Sequence, residues 1–206
     1  MTKEKDQNME FQILETAEKL FLEKGFAMTT TTAIAKEIGC NQALVHYYYR
    51  TKEKLFEAIF EKKVKMLVSP FLSSAYDNLP FEERLKMLIE AHYDILKSNP
   101  KIPFLFLNEL LTNPKRLSTL KDKLKELPQT VLKKMGSDLK KEIEKGTIRP
   151  MKTVELLMTI ISLNLTVFLM SPILKTLLTI PEEEINAMIE MRKSENVLIV
   201  LRSLKP

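Results

Sequence analysis

Apolar residues recur every three to four positions along most of this chain, which is the period of an α-helix with one buried face. The first such helix is predicted over about Glu4–Glu23 and is followed by Lys24-Gly25, a typical helix end. Its apolar stripe consists of Ile13, Leu14, Ala17, Leu20 and Phe21. Sustained alternation of apolar and polar residues, which is typical of strands, is missing, and only four of 206 residues are Gly. The pattern predicts an all-α fold.

Proline, glycine and capping residues divide the chain into about nine predicted helices. Besides two short helices within residues 29–54, the predicted helices cover about 4–23, 52–70, 81–97, 103–111, 114–145, 150–170 and 181–204. Pro70 is expected to end or bend its helix. Pro128 is expected to kink or break the segment 114–145, which carries apolar positions from Leu117 and Leu120 onward.

Two short predicted helices lie within residues 29–54 and are joined by a tight turn. Thr30, Thr31 or Thr32 can cap the first, because a threonine oxygen accepts from the unpaired amides of a first helical turn. Gly39 ends this helix, since glycine tolerates the positive φ found just past helix ends. Asn41 can cap the second helix, which continues for about two turns. The segment therefore has the form of a helix-turn-helix.

The second short helix is unusually rich in rings. His46, Tyr47, Tyr48 and Tyr49 follow one another, and successive helical side chains point about 100° apart. A small core can bury one or two of them. The remaining rings face outward and are expected to meet a partner.

The distribution of charge gives no direct argument for nucleic acid. The chain carries a net charge of +5, but residues 1–60 contain eight Lys or Arg and nine Asp or Glu. Residues 24–54 contain five basic and two acidic residues, and residues 115–145 contain ten and five. A mixed-charge run such as the latter is typically a solvated helix face, and a protein-docking face is the alternative.

Residues 156–174 contain no charged side chain, and their length approaches that of a membrane-spanning helix. Thr159, Ser162, Asn164 and Pro172 interrupt the run. A helix that is apolar most of the way round is also expected where one face meets the protein's own core and another meets a second subunit. We predict the second arrangement and keep a single membrane span as the alternative.

The residues that could carry chemistry are few. A single cysteine, Cys40, excludes an internal disulfide, and its turn position suits a small apolar residue, with redox sensing as the alternative. The two histidines, His46 and His92, are far apart in sequence, so neither a histidine-rich metal site nor a Ser-His-Asp arrangement is indicated. We predict that the protein is not an enzyme and needs no cofactor. A hydrolase that uses carboxylates alone is the enzymatic alternative.

Residues 13–55 closely resemble the N-terminal DNA-binding domain of the TetR family of bacterial transcriptional repressors. The resemblance rests on an apolar helix ending before Lys-Gly-Phe, a threonine-rich cap, Ile-Ala-x-x-x-Gly, and a short aromatic helix followed by Thr-Lys-Glu-x-Leu. It covers about a fifth of the chain. The family's organisation implies a helix-turn-helix domain over 1–51 and a helical ligand-binding and dimerisation domain over 52–206, linked by the helix from Lys52.

The resemblance also implies which residues contact DNA. An α-helix fits the major groove, where the front of a recognition helix reaches base edges. The implied base-facing set is Gln42, Ala43, Leu44 and His46, and Asn41 is counted with the DNA-binding residues. The implied phosphate-facing set is Thr29, Thr30, Thr31, Lys52 and either Tyr47 or Tyr48. His46 stands where the family usually has tyrosine, so no operator sequence is predicted.

An effector pocket in the C-terminal helices is implied as well. Candidate lining residues are His92, Tyr93, Phe106, Asn164 and Phe168. His92 lies on an apolar face and is equally consistent with a hydrogen-bonded core histidine. Asn164 is a polar amide in an apolar helix and needs a partner, which can also be the second subunit.

We therefore expect a cytoplasmic homodimer that binds a palindromic operator, pairs through its last two helices, and is released by a small hydrophobic or amphipathic effector. The N-terminus lacks the apolar core of a signal peptide, which agrees with a cytoplasmic protein. One alternative is a nucleoid-bound regulator that recruits a protein through residues 115–145. Another is a small-molecule-binding helical protein whose DNA-binding domain is degenerate.

Overall fold

The computed structural model describes residues 2–114, 118, 121, 122 and 124–206. This part of the chain forms nine α-helices and no strand. They are α1 (Thr2–Met28), α2 (Thr31–Ile38), α3 (Gln42–Tyr48), α4 (Lys52–Leu72), α5 (Phe81–Ser98), α6 (Ile102–Thr112), α7 (Glu126–Glu144), α8 (Thr153–Leu177) and α9 (Glu182–Ser203). The predicted all-α class is confirmed. The predicted apolar positions Leu117 and Leu120 lie outside the described residues.

Two glycines set the ends of the first two helices. Gly25 has φ 75° and ψ 170°, which interrupts helical geometry near the end of α1. Gly39 follows α2 with φ 76°, and its amide donates to the carbonyls of Ala35 and Lys36. A side chain at either position would meet the steric penalty of the left-handed region. The predicted end at Gly39 is confirmed, whereas α1 continues to Met28 with Gly25 as a non-helical residue inside it.

Three prolines lie inside helices, and the break predicted near Pro128 is present, since α7 begins at Glu126 after a turn at Lys125. Pro70 does not end α4, which continues to Leu72. The Met66 carbonyl that Pro70 leaves unpaired accepts from the Ser69 hydroxyl at 2.8 Å, which compensates for the missing backbone bond. Pro128 is the third residue of α7, where a backbone N–H has no helical partner and proline costs little. Pro172 lies inside α8, so the predicted end at Met170 was wrong by seven residues.

The first compact unit contains residues 1–64 and 105–120. Its core contains the buried part of the predicted α1 stripe and Leu55, Phe56, Ile59 and Phe60 of α4, joined by Ile34 of α2 and Val45 of α3. The Phe56 ring packs edge-on against Phe21 and Phe26, with 5.1 Å between centroids in both pairs. These contacts join α1 to α4, while the buried Ile34 and Val45 place α2 and α3 in the same core.

The second compact unit contains residues 65–104 and 121–206. Its main core cluster consists of Phe71, Leu85, Ile89, Val131, Met135, Leu139, Ile148, Leu156, Ile160, Val197, Val200 and Leu204. Helix α4 contributes its first thirteen residues to the first unit and the remainder to the second. The domain boundary predicted between residues 51 and 52 stays a prediction.

Helix α8 is long and apolar enough to cross a membrane by length and composition. Five of its side chains are nevertheless buried inside the protein: Leu156, Ile160, Asn164, Val167 and Phe168. Other apolar side chains of α8 are exposed, among them Val154, Met158, Met170, Ile173 and Leu177. The helix therefore has one face in the core and a second apolar face without cover from the described residues of its own chain.

Candidate nucleic-acid interface

Local hydrogen bonds fix the backbone of the helix-turn-helix. The Thr30 hydroxyl accepts from the Ala33 amide at 3.1 Å and caps α2. The Asn41 carboxamide oxygen accepts from the Ala43 amide at 2.9 Å and caps α3. Both are side-chain caps of the kind that stabilise a helix start by about 1 kcal/mol. Asn41 is confirmed as a cap, and Thr30 is the one used among the three predicted threonines.

Most side chains at the front of α3 are exposed, and one is buried in the core. Val45 is fully buried, whereas Gln42, Ala43 and His46 are exposed and Leu44 is half-buried. The turn residue Asn41 is exposed beside them. An exposed helix front with one buried anchor is the arrangement required for insertion into a groove.

The rings of α3 divide between core and surface. Tyr47 is 74% exposed, and Tyr48 packs edge-on against it with 5.1 Å between centroids. Tyr49 is half-buried, and its hydroxyl donates to Glu10 at 3.4 Å. Burial, together with the Glu10 carboxylate, raises the pKa of Tyr49 to about 12. Tyr49 therefore fixes the end of α3 to α1, and Tyr47 is the ring most available to a partner.

A polar cluster occupies the exposed side of α2 and α3. The Gln42 amide nitrogen lies 3.0 Å from the Thr31 hydroxyl and 3.2 Å from His46 Nε2. His46 Nε2 also lies 3.5 Å from the Thr31 hydroxyl, and its Nδ1 lies 3.3 Å from the Arg50 carbonyl oxygen. We predicted these three side chains as independent contacts and did not foresee their connection. The i, i+4 spacing of Gln42 and His46 was the available indication.

Two predicted phosphate contacts have internal partners. Thr29 is 1% exposed, and its hydroxyl lies 3.1 Å from the Leu20 carbonyl and 2.9 Å from the Gly25 carbonyl. This burial corrects the expectation for Thr29, whose side chain closes the end of α1 and does not face outward. Lys52 is half-buried. Its ammonium donates to the Phe26 carbonyl at 2.9 Å and lies 4.1 Å from the Phe26 ring centroid.

Four of the five residues predicted for an effector pocket lie in the second unit and are buried. The Asn164 amide nitrogen lies 3.0 Å from His92 Nδ1 and donates to the Ile89 carbonyl at 3.0 Å. The Tyr93 ring packs against Phe168 with 5.3 Å between centroids. Phe106 belongs to the first unit, where its ring lies 4.2 Å from that of Phe60. The predicted set is therefore divided, and its larger part is packed core.

Asn196 extends this buried polar group and was not predicted. Its amide nitrogen donates to the Asn164 carboxamide oxygen at 3.0 Å, and its own oxygen has no partner within the described residues. Burial lowers the pKa of His92 to about 4, so the ring is neutral at physiological pH. Asn196 lies four residues before the apolar Val200, on the same face of α9, and this spacing was the sequence feature that could have revealed it.

A cleft lies elsewhere in the second unit, with a cavity volume of about 530 Å³. Its lining residues are Asp77, Arg84, Thr130, Lys133, Lys134, Ser137, Asp138 and Lys141. Arg84 pairs with Asp138 at 3.1 Å and Lys134 with Asp77 at 3.0 Å. Within the described residues, no cluster of His, Cys, Asp and Glu is placed to hold a metal ion.

The all-helical fold, with a capped helix-turn-helix and an exposed α3, defines a helix-turn-helix DNA-binding protein. Residues 13–59 match the family model described as "Bacterial regulatory proteins, tetR family". The predicted resemblance is confirmed: this segment matches the TetR family of bacterial transcriptional regulators, and the fold is that of a solved tetR-family protein.

The chain is also similar to individual proteins. The Fatty acid metabolism regulator protein of Bacillus subtilis (strain 168) is 21% identical over 138 residues, which are 67% of this chain and 70% of that protein. The Nucleoid occlusion factor SlmA of Haemophilus influenzae is 30% identical over 81 residues, 39% of this chain and 37% of that protein. A solved tetR-family regulatory protein from Rhodococcus RHA1 is 19% identical, with a TM-score of 0.73 over 96% of this chain and 97% of that one.

Proposed function

We propose that this chain is a cytoplasmic, homodimeric repressor that binds a palindromic operator and leaves it when a small hydrophobic or amphipathic effector binds. The observation that carries the proposal is the exposed front of α3, held in place by the caps on α2 and α3 and anchored by Val45. A degenerate DNA-binding domain would be expected to lack part of this arrangement. Here the turn at Gly39, the caps Thr30 and Asn41, and the buried Val45 are all present.

Base contacts belong to the front of α3 in this proposal, and phosphate contacts to its flanks. The proposed base-facing residues are Asn41, Gln42, Ala43, Leu44 and His46. The proposed phosphate-facing residues are Thr30, Thr31, Tyr47, Tyr48 and Lys52. The Lys52 ammonium has three hydrogens, so its bond to the Phe26 carbonyl leaves others for a phosphate.

Dimerisation through α8 and α9 is supported by their uncovered apolar faces. Val154, Met158 and Ile173 of α8 are 49%, 57% and 45% exposed, and Met191 of α9 is 66% exposed. Covering such side chains removes apolar area from water, at roughly 25 cal/mol per Å². A two-fold axis through these helices gives two copies of α3, which a palindromic operator matches.

The effector in this proposal is a fatty acid or a molecule of that class. Support comes from the printed name of the Bacillus subtilis relative, whose match extends over two thirds of both chains. Because α4 holds residues of both compact units, a displacement of its second half is transmitted along the helix toward the helix-turn-helix. The effector then lowers the affinity for the operator, and the operator lowers the affinity for the effector by the same factor, as linkage requires.

Selection from random DNA tests the DNA-binding part of the proposal. The dimer is expected to enrich a two-fold symmetric site, and Gln42→Ala is expected to weaken that site while preserving folding, because Gln42 is exposed. Thr32→Ala is a matched control, since Thr32 is exposed, lies in the same helix-turn-helix segment and is not proposed to contact DNA. If the selection enriches no palindromic site, the proposal that the protein is an operator-binding repressor is refuted.

Titration with fatty acids of graded chain length tests the effector part. Fatty acids of one chain length are expected to lower the affinity of the protein for the selected DNA site by about fivefold or more, which is roughly the lower end of allosteric coupling. A ligand that binds tightly without moving operator affinity would refute the coupling.

A nucleoid-bound regulator is the second candidate, and the 30% identity to a nucleoid occlusion factor favours it. The two candidates differ in their response to ligand and in the distribution of their sites. A repressor is expected to occupy a few promoters and to be released by ligand. A nucleoid-bound regulator is expected to occupy many dispersed sites that no ligand affects.

A further inference from the structure

The cluster formed by Thr31, Gln42 and His46 carries an inference about how the operator is read, and it rests on the proposed function. Gln42 is a side chain that can accept and donate at once, because its carboxamide has an oxygen and an NH₂ group. Which of the two faces the groove decides which base edge it recognises. The contacts around His46 fix this choice.

The Arg50 carbonyl determines the proton position on the His46 ring. A carbonyl oxygen can only accept, so its 3.3 Å contact with Nδ1 requires that Nδ1 carry the proton. A neutral imidazole has one protonated nitrogen, which leaves Nε2 as an acceptor. His46 therefore presents a lone pair toward Gln42.

The lone pair in turn orients the Gln42 carboxamide. An oxygen placed 3.2 Å from an accepting Nε2 would be repelled, so the NH₂ group must occupy that position, as it does here. Its second hydrogen is directed to the Thr31 hydroxyl at 3.0 Å. Both hydrogens are then used within the protein. In the described part of the chain no hydrogen bond involves the Gln42 oxygen, and the residue is exposed.

We propose that His46 is a positioning residue that makes Gln42 an acceptor-only reader of the major groove, selecting the exocyclic amino group of adenine or cytosine. Thymine O4 and guanine O6 and N7 are acceptors and repel the Gln42 oxygen. The two-bonded recognition of adenine that a free glutamine can make is excluded, because both amide hydrogens are engaged. One base position in each half-site is therefore expected to favour A or C over G or T on the strand that Gln42 faces.

The DNA test compares base preference at that position in the wild-type protein, His46→Phe and the control Thr32→Ala. Wild type and control are expected to prefer A or C by about tenfold, the value of roughly one hydrogen bond. Phenylalanine keeps a ring of similar size but offers no acceptor, so the Gln42 amide can turn and the preference is expected to fall to about twofold or less. An unchanged preference in His46→Phe, or the loss of all sequence selection, would overturn the inference.

A measurement on the DNA-free protein separates this inference from the proposed function. Nitrogen NMR of the neutral His46 ring is expected to show the proton on Nδ1, and His46→Phe is expected to change the Gln42 side-chain amide signals. A ring protonated on Nε2 would overturn the inference whether or not the protein binds DNA. If the NMR result is as expected and wild type selects no palindrome, the repressor proposal fails by itself.

Discussion

The buried His92 ring makes the stability of this protein depend on pH in a way that can be worked out. Burial lowers the pKa of His92 from 6.5 to about 4 in the folded protein. The unfolded chain takes up the second proton near the ordinary value, whereas the folded protein resists it. Stability from the neutral ring is therefore fully present above about pH 6.5 and is lost as the pH falls toward about 4.

The size of this loss follows from the shift. A difference of one pKa unit corresponds to about 1.4 kcal/mol, so a shift from 6.5 to about 4 gives roughly 3 kcal/mol between neutral pH and about pH 4. The ring is 3% exposed, so little of this is screened by solvent. Such a loss is a large share of the 5 to 15 kcal/mol that roughly bounds the stability of natural proteins.

Urea unfolding followed by circular dichroism, at a series of pH values and one protein concentration, measures the effect. His92→Leu is expected to be less stable at neutral pH, because Asn164 loses an acceptor, but to lose roughly 3 kcal/mol less than wild type on acidification. Carboxylates titrate in both proteins, so the comparison removes their contribution. His46→Gln is the control, since His46 is the other histidine of the chain and is exposed.

Equal pH dependence in wild type and His92→Leu would refute the reasoning. An NMR titration that finds His92 protonated near pH 6.5 in the folded protein would refute it as well. If the free energy of unfolding of His46→Gln depends less on pH than that of wild type, the effect belongs to the exposed His46 and not to His92.

Three further outcomes are expected from single substitutions. Asn41→Ala removes the cap of α3 and is expected to lower the free energy of unfolding by about 1 kcal/mol, as measured by urea unfolding, and to weaken operator binding further. Gly39→Ala places a side chain at φ 76° and is expected to cost about 1 kcal/mol by the same measurement, without changing the fold. Met158→Glu puts a charge on the uncovered face of α8 and is expected to give a folded monomer in analytical ultracentrifugation.

Each of these has a contrary result, and Asn41→Ala and Met158→Glu also have a matched control. Asn78→Ala changes an exposed asparagine outside the described helices and should leave stability unchanged, while unchanged stability in Asn41→Ala would contradict the cap. An unchanged midpoint in Gly39→Ala would contradict the steric penalty at that turn. Lys152→Glu places the same charge just before α8, and a Met158→Glu dimer as stable as that control would contradict the α8 interface.

Much of the helix-turn-helix could be predicted because its interactions are local in sequence. A cap joins residues two or three apart, and a glycine at a helix end acts through its own backbone dihedral angles. Asn41 and Gly39 were therefore recognisable from their neighbours alone, and so was the periodic burial along α1 and α5. The family resemblance extended this to function because it concerned the same short segment.

Assignments that depend on long-range contacts were less secure. Thr29 was expected to face a DNA phosphate. Its side chain is buried instead, and its hydroxyl donates to the carbonyls of Leu20 and Gly25. Phe106 and Phe168 are both apolar aromatic residues, but the structure places them in different compact units. Sequence pattern gives the probability that such a side chain is buried and does not say against which neighbours.

By itself the sequence determined the all-α class, most helix positions, and the location and caps of the DNA-binding helices, because periodicity, capping and turn chemistry act over a few residues. The tertiary structure decided which polar side chains meet. Asn164 was recognisable as a residue that needed a partner, but only the packing of α5, α8 and α9 shows that His92 and Asn196 supply it. In the same way, the contact between the Gln42 amide and the Thr31 hydroxyl forms only when α2 and α3 pack together.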